Sequence, residues 1–194
     1  MTEAAVLLLS GGIDSTAIAA WRRPSHAMFV DYGQRAAATE ARAATYIAHE
    51  LELDLAVVEV RTTRHRRAGS DPPHWAYRNQ LLVTVAAAYA AEVAVDEVWV
   101  GTVASDGARN IDGTIEFVSG LDELLRMQEE GVGLTAPALD LTSDALIARS
   151  GISDSLLAAT VSCYSPAPCG TCGGCVRRRW VLRRVNRLQG PQPS

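Results

Sequence analysis

Residues 4–9 form a short, unbroken apolar run that stops abruptly at Ser10-Gly11-Gly12 and gives way to an alanine-rich stretch. A run that is apolar without alternation has both faces to bury, which suits an interior strand of a parallel sheet flanked by helices. The same pattern recurs at residues 26–30, 54–60 and 97–101, and more weakly at 134–139. Helix-forming stretches separate the runs at residues 15–22, 36–51, 79–93, 114–130 and 143–150. Strand alternating with helix predicts an α/β fold with a doubly wound, mostly parallel sheet. That domain is expected to span residues 1–150. Beyond it the strand pattern ceases, and residues 151–194 are expected to form a small helical appendage packed on it. The Pro72-Pro73 pair makes residues 61–77 a long polar loop.

In a doubly wound sheet, ligands bind beyond the carboxyl ends of strands, where Ser10-Gly11-Gly12-Ile13-Asp14-Ser15-Thr16 falls. Glycines let backbone amides turn inward, a helix N-terminus adds free N–H groups and partial positive charge, and Ser10, Ser15 and Thr16 bring hydroxyls. An anion site is one reading of this string. A plain strand-to-helix turn with Asp14 or Ser15 as N-cap is the other. All 18 positive side chains of the chain are arginine. The absence of lysine excludes a Schiff base and a Walker-type phosphate loop, so an anion must be met by arginine, amides or metal.

Four cysteines, the complement of the whole chain, occur as Cys163-x5-Cys169-x2-Cys172-x2-Cys175. Two overlapping C-x2-C steps with small residues between them make a compact knuckle with the spacing of a four-thiolate metal site. Zinc is the first candidate, in a closed structural site with no open position for water. An iron–sulfur cluster also takes four cysteines but has no supporting redox signature here. A disulfide fits poorly with a chain expected to be cytoplasmic.

A net charge of −4 argues against a general nucleic-acid binder. The residues from Arg177 to Arg187 hold six arginines (Arg177, Arg178, Arg179, Arg183, Arg184 and Arg187), read most simply as the outer face of a helix. No apolar run is long enough to span a membrane. A sheet edge or the basic tail is a candidate contact for a second copy in a homodimer.

Ser10-Gly11-Gly12-Ile13-Asp14-Ser15 resembles the PP-loop, SGGxDS, of the N-type ATP pyrophosphatases. With the cysteine knuckle at the other end, the chain resembles the 7-cyano-7-deazaguanine synthase (QueC-type) family. The middle agrees: Asp31-Tyr32-Gly33-Gln34 is similar to that family's DYGQ, Arg78-Asn79 to its RN motif, Asp112 and Glu116-Phe117 to its DxxxEF, and Ser162-Cys163-Tyr164 to its SCY. The likeness runs from about Leu7 to Arg178.

The resemblance implies an adenine nucleotide α-hydrolase-like fold with a zinc-binding appendage built on four cysteines. It implies that Ser10, Gly11, Gly12, Asp14, Ser15 and Thr16 bind ATP with Mg²⁺, that Asp14, Ser15 and Arg78 serve catalysis, and that Cys163, Cys169, Cys172 and Cys175 hold Zn²⁺. Tyr32, Gln34, Arg35, Arg78, Asn79, Asp112 and Glu116 become the expected substrate contacts. The implied reaction adenylates the carboxylate of 7-carboxy-7-deazaguanine, forms an amide with ammonia and dehydrates it to the nitrile. An alternative acceptor is a protein amine, as in QueC-like relatives attached to antiviral defence systems. A non-catalytic nucleotide-binding subunit is a third reading, and tRNA thiolation is disfavoured because no cysteine lies outside the knuckle. Two departures touch the site. The family pattern expects lysine where Ser143 stands, leaving Arg35, Arg78 or Arg109 to meet the phosphates. Trp75-Ala76-Tyr77 replaces the Pro-Gly usual before Arg78. His65 and His74, in the polar loop, are further candidates for substrate contact.

Overall fold

The computed structural model describes residues 2–61 and 76–186. His65, His74, Trp75, Pro72-Pro73 and Arg187 lie outside them.

Five strands, β1 (Glu3–Leu8), β2 (Pro24–Asp31), β3 (Asp54–Glu59), β4 (Glu97–Trp99) and β5 (Gly133–Thr135), form one sheet in the order β3-β2-β1-β4-β5. Every pairing is parallel. The chain therefore winds outward from β1 to β3 and then crosses back to β4 on the other side of β1. This reversal places a switch point between β1 and β4, the position at which α/β sheets open a crevice for ligands.

Eight helices accompany the strands among the described residues: α1 (Ile13–Arg22), α2 (Ala37–Leu51), α3 (Arg78–Glu92), α4 (Ala104–Gly107), α5 (Ile115–Arg126), α6 (Ser143–Ser150), α7 (Asp154–Ala159) and α8 (Gly173–Arg184). The period-two geometry of the strands divides the core into two layers. Ala5, Leu7 and Leu9 with Ala27 and Phe29 pack against Ala17, Ile18, Ala44, Ile47 and Ile147 on one face. Val6, Met28 and Val30 pack against Val83, Ala86, Val118 and Leu121 on the other. Burial on both faces is why the β1 and β2 runs do not alternate. Strand β3, expected from residues 54–60 to be buried in the same way, is an edge strand with no buried residue and with Val57 exposed. Alanine fills the helix positions that face the sheet, allowing close helix–sheet approach.

Three differences from the sequence expectations have local causes. Helix α1 begins at Ile13, with Gly12 as N-cap and no side-chain cap. Asp14 and Ser15 therefore lie inside the first turn and are released from capping. The fifth strand ends at Thr135, and Ala138 makes only an isolated bridge to Val103. Helix α5 stops at Arg126, short of the expected residue 130. There Arg126 pairs with Asp122, whose carboxylate also accepts from the Leu134 amide.

The C-terminal helices share the core of the α/β layer. Ile152, Leu156, Leu157, Val181 and Leu182 lie in the same buried cluster as Ile13 and Ile18. Val161 also donates its amide to the Gly11 carbonyl at 2.8 Å, tying the segment before the knuckle to the first loop.

Candidate active site

Gly11 has φ +73°, and a Cβ there would lie 2.9 Å from both the Ala43 Cβ and the Glu40 carbonyl oxygen. Only glycine satisfies both the left-handed backbone and this approach to α2. Gly12 then hands the chain to α1, and the Ser10 and Ser15 hydroxyls lie 3.1 Å apart across the loop. Thr16 donates its hydroxyl to the Gly12 carbonyl at 2.6 Å, and its amide makes the first turn's closing bond to the same oxygen. The amides of residues 13–15 precede that bond and have no intrahelical acceptor. On the β4 side, a Cβ at Gly101 would lie 3.1 Å from the Ser15 amide nitrogen, so the missing side chain lets the two loops of the switch point meet.

Asp14, in the first turn of α1, turns its carboxylate toward Arg177 of α8. Its side chain is 15% exposed, and Oδ2 accepts from Arg177 Nη2 at 3.1 Å. The other oxygen, Oδ1, is buried without a hydrogen-bond partner. Burial pushes the Asp14 carboxyl above the usual carboxylate range, despite the opposing pull of Arg177 and Ser143, and nearby Asp106 adds to the rise. A buried acid with an unused lone pair, beside a second acid, suits a divalent cation.

Arg177 is not among the site residues that the sequence suggests. The cluster from Arg177 onward was expected to form an outer helix face, but the structure divides it. Arg177 reaches inward to Asp14, to Asp106 at 3.3 Å and to the Ser143 hydroxyl at 3.0 Å. Arg178 turns the other way and donates to the Thr160 hydroxyl and the Leu157 carbonyl at the C-terminal end of α7. Arg184 pairs with Asp144 at 2.8 Å. Helical phase, with the α6 and α7 surfaces on either side, decides these directions, information absent from a string of arginines.

Beyond β2, Gln34 organises the second rim. It accepts from the Tyr32 amide at 3.0 Å and donates to the Glu40 carboxylate at 2.9 Å. Asp31 accepts from the Gly33 amide at 2.7 Å, closing a tight turn. Burial raises the Glu40 carboxyl, offset by the Gln34 bond and by the positive charge of Arg78. Arg78 is the first residue of α3 and donates to the Asn79 side chain at 3.2 Å. Glu40 is a residue that sequence reading missed, because an acid four residues into an amphipathic helix reads as solvated.

The remaining expected contacts are more dispersed. Arg35 is exposed. Asp112 lies in a 3₁₀ turn, Ile111–Gly113, and Gly113 abuts the Asp106 backbone, which brings that turn to the edge of the Asp14 crevice. Glu116 is exposed in the first turn of α5. Among the described residues, neither acid makes a side-chain hydrogen bond or ion pair. Arg109 pairs with Asp106 at 3.3 Å.

The four cysteine sulfurs lie within 4.8 Å of one another. Cys163 and Cys169 are 3.6 Å apart and Cys172 and Cys163 4.0 Å. The Ser165 and Cys169 amides point at the Cys163 sulfur, each at 3.4 Å. Hydrogen bonds from Thr171 and Cys172 lower the Cys169 thiol to about 6, while burial pushes Cys175 up to about 12. Gly174 makes the knuckle compact, since a Cβ there would fall 1.8 Å from the Ser162 carbonyl oxygen. The donor set and its amide bonds fit a thiolate-bound metal.

No helix among the described residues is long and apolar enough to cross a membrane. Comparison with known proteins agrees with the geometry. The family model described as queuosine biosynthesis protein QueC matches residues 4–70 and 70–186. The chain is 31% identical to 7-cyano-7-deazaguanine synthase of Methanothrix thermoacetophila, over 90% of this chain and 92% of that protein. It is 32% identical to the synthase of the same name from Anaeromyxobacter sp., over 92% and 91%. Among solved structures, the U34-tRNA thiolase NcsA from Methanococcus maripaludis with its 4Fe-4S cluster has the same fold, with a TM-score of 0.59 at 15% identity. That match covers 94% of this chain, which spans 65% of the length of the thiolase. With nearly its whole length matched by the family model and by relatives 31% and 32% identical, the chain belongs to the QueC family of queuosine biosynthesis proteins.

Proposed function

We propose that this protein is an AMP-forming, ATP-dependent enzyme that activates the carboxylate of 7-carboxy-7-deazaguanine or a similar deazapurine and delivers it to ammonia. The observation that carries this reading is the buried, unpartnered Asp14 Oδ1 in the first turn of the helix that follows the glycine loop.

Ser10, the amides of residues 13–15 and the Ser15 hydroxyl would hold the phosphates, by fixed donors that need no reorganisation. Asp14 would hold Mg²⁺, which neutralises phosphate charge when bound with ATP. The substrate carboxylate attacks the α-phosphorus and pyrophosphate leaves. Ammonia then attacks the carbonyl carbon of the acyl adenylate, losing a proton as AMP departs, and an amide results. The amide oxygen then attacks the α-phosphorus of a second ATP, pyrophosphate leaves, and loss of AMP and both N–H protons leaves the nitrile. Arg78 beside Glu40 and Gln34 supplies a cation and a paired donor–acceptor edge for an anionic, guanine-like base. Asp112 and Glu116 are the candidate acceptors for its N–H groups from the opposite rim.

The cysteines would hold a single zinc ion in a closed tetrahedron. Tetrahedral sulfurs about 2.3 Å from one metal lie roughly 3.8 Å apart, close to the observed 3.6 and 4.0 Å. A cluster with several irons between the thiolates needs them farther apart.

The test is incubation of the protein with Mg-ATP, 7-carboxy-7-deazaguanine and ammonium, followed by mass spectrometry. AMP, pyrophosphate and the nitrile are expected. AMP with the base attached to a protein amine would transfer the assignment to the second acceptor, and ATP binding without AMP would leave a nucleotide-binding subunit.

A further inference from the structure

We propose that Arg177 is the phosphate-binding cation of this site, supplied from the C-terminal helix in a chain that contains no lysine. This rests on the ATP reading above and extends it to a residue of the metal knuckle's own helix.

Geometry singles out Arg177 from the other arginines. Its Nη2 lies 3.1 Å from Asp14 Oδ2, 3.0 Å from Ser143 Oγ and 3.5 Å from Ser105 Oγ, while Nη1 lies 3.3 Å from Asp106 Oδ1. These partners come from α1, α6 and α4, so the guanidinium bridges the helix ends that surround the loop. Arg109 stays with Asp106 and Ser105, and Arg78 stays beside Asn79 and Glu40 on the other rim. Among the described residues, Arg177 is thus the cation in direct contact with the loop aspartate. Its side chain remains 29% exposed, so it is open to a ligand entering the crevice.

A guanidinium has five N–H donors in a rigid fork and stays charged at any working pH, which matches phosphate oxygens well. Asp14 would hold Mg²⁺ through its unpartnered Oδ1, and the Arg177 fork beside it would offer its remaining N–H donors to the phosphates. Ser143 is small and buried, which leaves room for a long side chain arriving from α8. Placement depends on the knuckle: Cys172 is the N-cap of α8 and Cys175 lies in its first turn, two residues before Arg177. Arg178 anchors the same turn to α7, fixing the helical phase that sends Arg177 inward.

Equilibrium binding of Mg-ATP, Mg-pyrophosphate and AMP to the full-length protein provides the test. Arg177→Gln keeps a donor near Asp14 and Ser143 but removes the charge. It is expected to weaken ATP and pyrophosphate about 10- to 100-fold, the effect of losing a charge-assisted hydrogen bond, with AMP affinity and metal content unchanged. Arg177→Lys should restore most of the loss. So should Ser143→Lys placed in the Arg177→Gln protein, because an amine extended from position 143 reaches the volume now filled by the guanidinium. Wild-type ATP affinity in Arg177→Gln, or equal weakening of ATP and AMP, would overturn the proposal while leaving the ATP reading intact. If the wild-type protein binds no Mg-ATP, the ATP reading itself falls. Should Arg177→Gln fail to fold, the Arg177→Lys and Ser143→Lys proteins carry the same comparison, and a charge at either position without preference for ATP over AMP counts against it.

Discussion

Asp14 and Arg177 stand 163 residues apart in the chain and meet at 3.1 Å, joining the first glycine loop to the helix that grows out of the cysteine knuckle. The contact couples the two ends of the protein at the point where the sheet changes direction.

Because burial raises the Asp14 carboxyl, its ionised form costs the native state stability. The folded protein keeps its proton to a higher pH than the unfolded chain, so this cost is absent below the unfolded carboxyl's range and grows as pH rises through the folded one. Asp14→Asn should therefore melt higher than wild type at neutral pH without ligand, with the gap closing in acid. The same variant should form no AMP. A wild-type enzyme should lose Mg-ATP affinity as pH falls through the raised carboxyl range, which pH-dependent titration calorimetry would read.

Gly11→Ala must place a side chain at φ +73° against Ala43 and the Glu40 carbonyl. The expected cost is about 1–3 kcal/mol in urea unfolding, together with a loss of nucleotide binding. Gly120→Ala is the control, since a Cβ there meets nothing within 4 Å, and it should be neutral or slightly stabilising.

Arg178 donates to the Leu157 carbonyl at 2.9 Å and to the Thr160 hydroxyl, closing the C-terminal end of α7. Arg178→Ala should lower stability by about 1–3 kcal/mol. Arg183 is exposed on the same helix, and Arg183→Ala should stay within about 0.5 kcal/mol. Denaturant curves for the two variants would separate an anchoring arginine from a solvated one. Equal effects would contradict the placement.

The purified protein should carry about one zinc per chain and no acid-labile sulfide. Cys172→Ser should lose the metal and lower the thermal midpoint by roughly 5–10 °C, because α8 carries Val181 and Leu182 into the main core. It should also weaken ATP binding, since the same helix carries Arg177. Elemental analysis, melting and nucleotide titration on one preparation would check all three.

The sequence by itself determined the sheet and most of the loop. The apolar runs at residues 26–30 and 54–60 appear within a few residues of their places as β2 and β3, and β2 is buried as an interior strand. Strand β3 lies at the edge of the sheet with none of its residues buried, which the run alone does not reveal. Glycine at position 11 and the four cysteines also carry their meaning locally, through backbone freedom and ligand spacing. What tertiary structure decided is direction. Glu40 faces a buried rim only because α2 packs against the glycine loop. Arg177 faces Asp14, while its neighbour Arg178 faces α7, because helical phase and the packing of α6, α7 and α8 set which way each side chain leaves the helix. Strands and metal knuckles are written in short-range spacing; the cation of a site built from both ends of a chain is set by contacts between segments far apart in sequence.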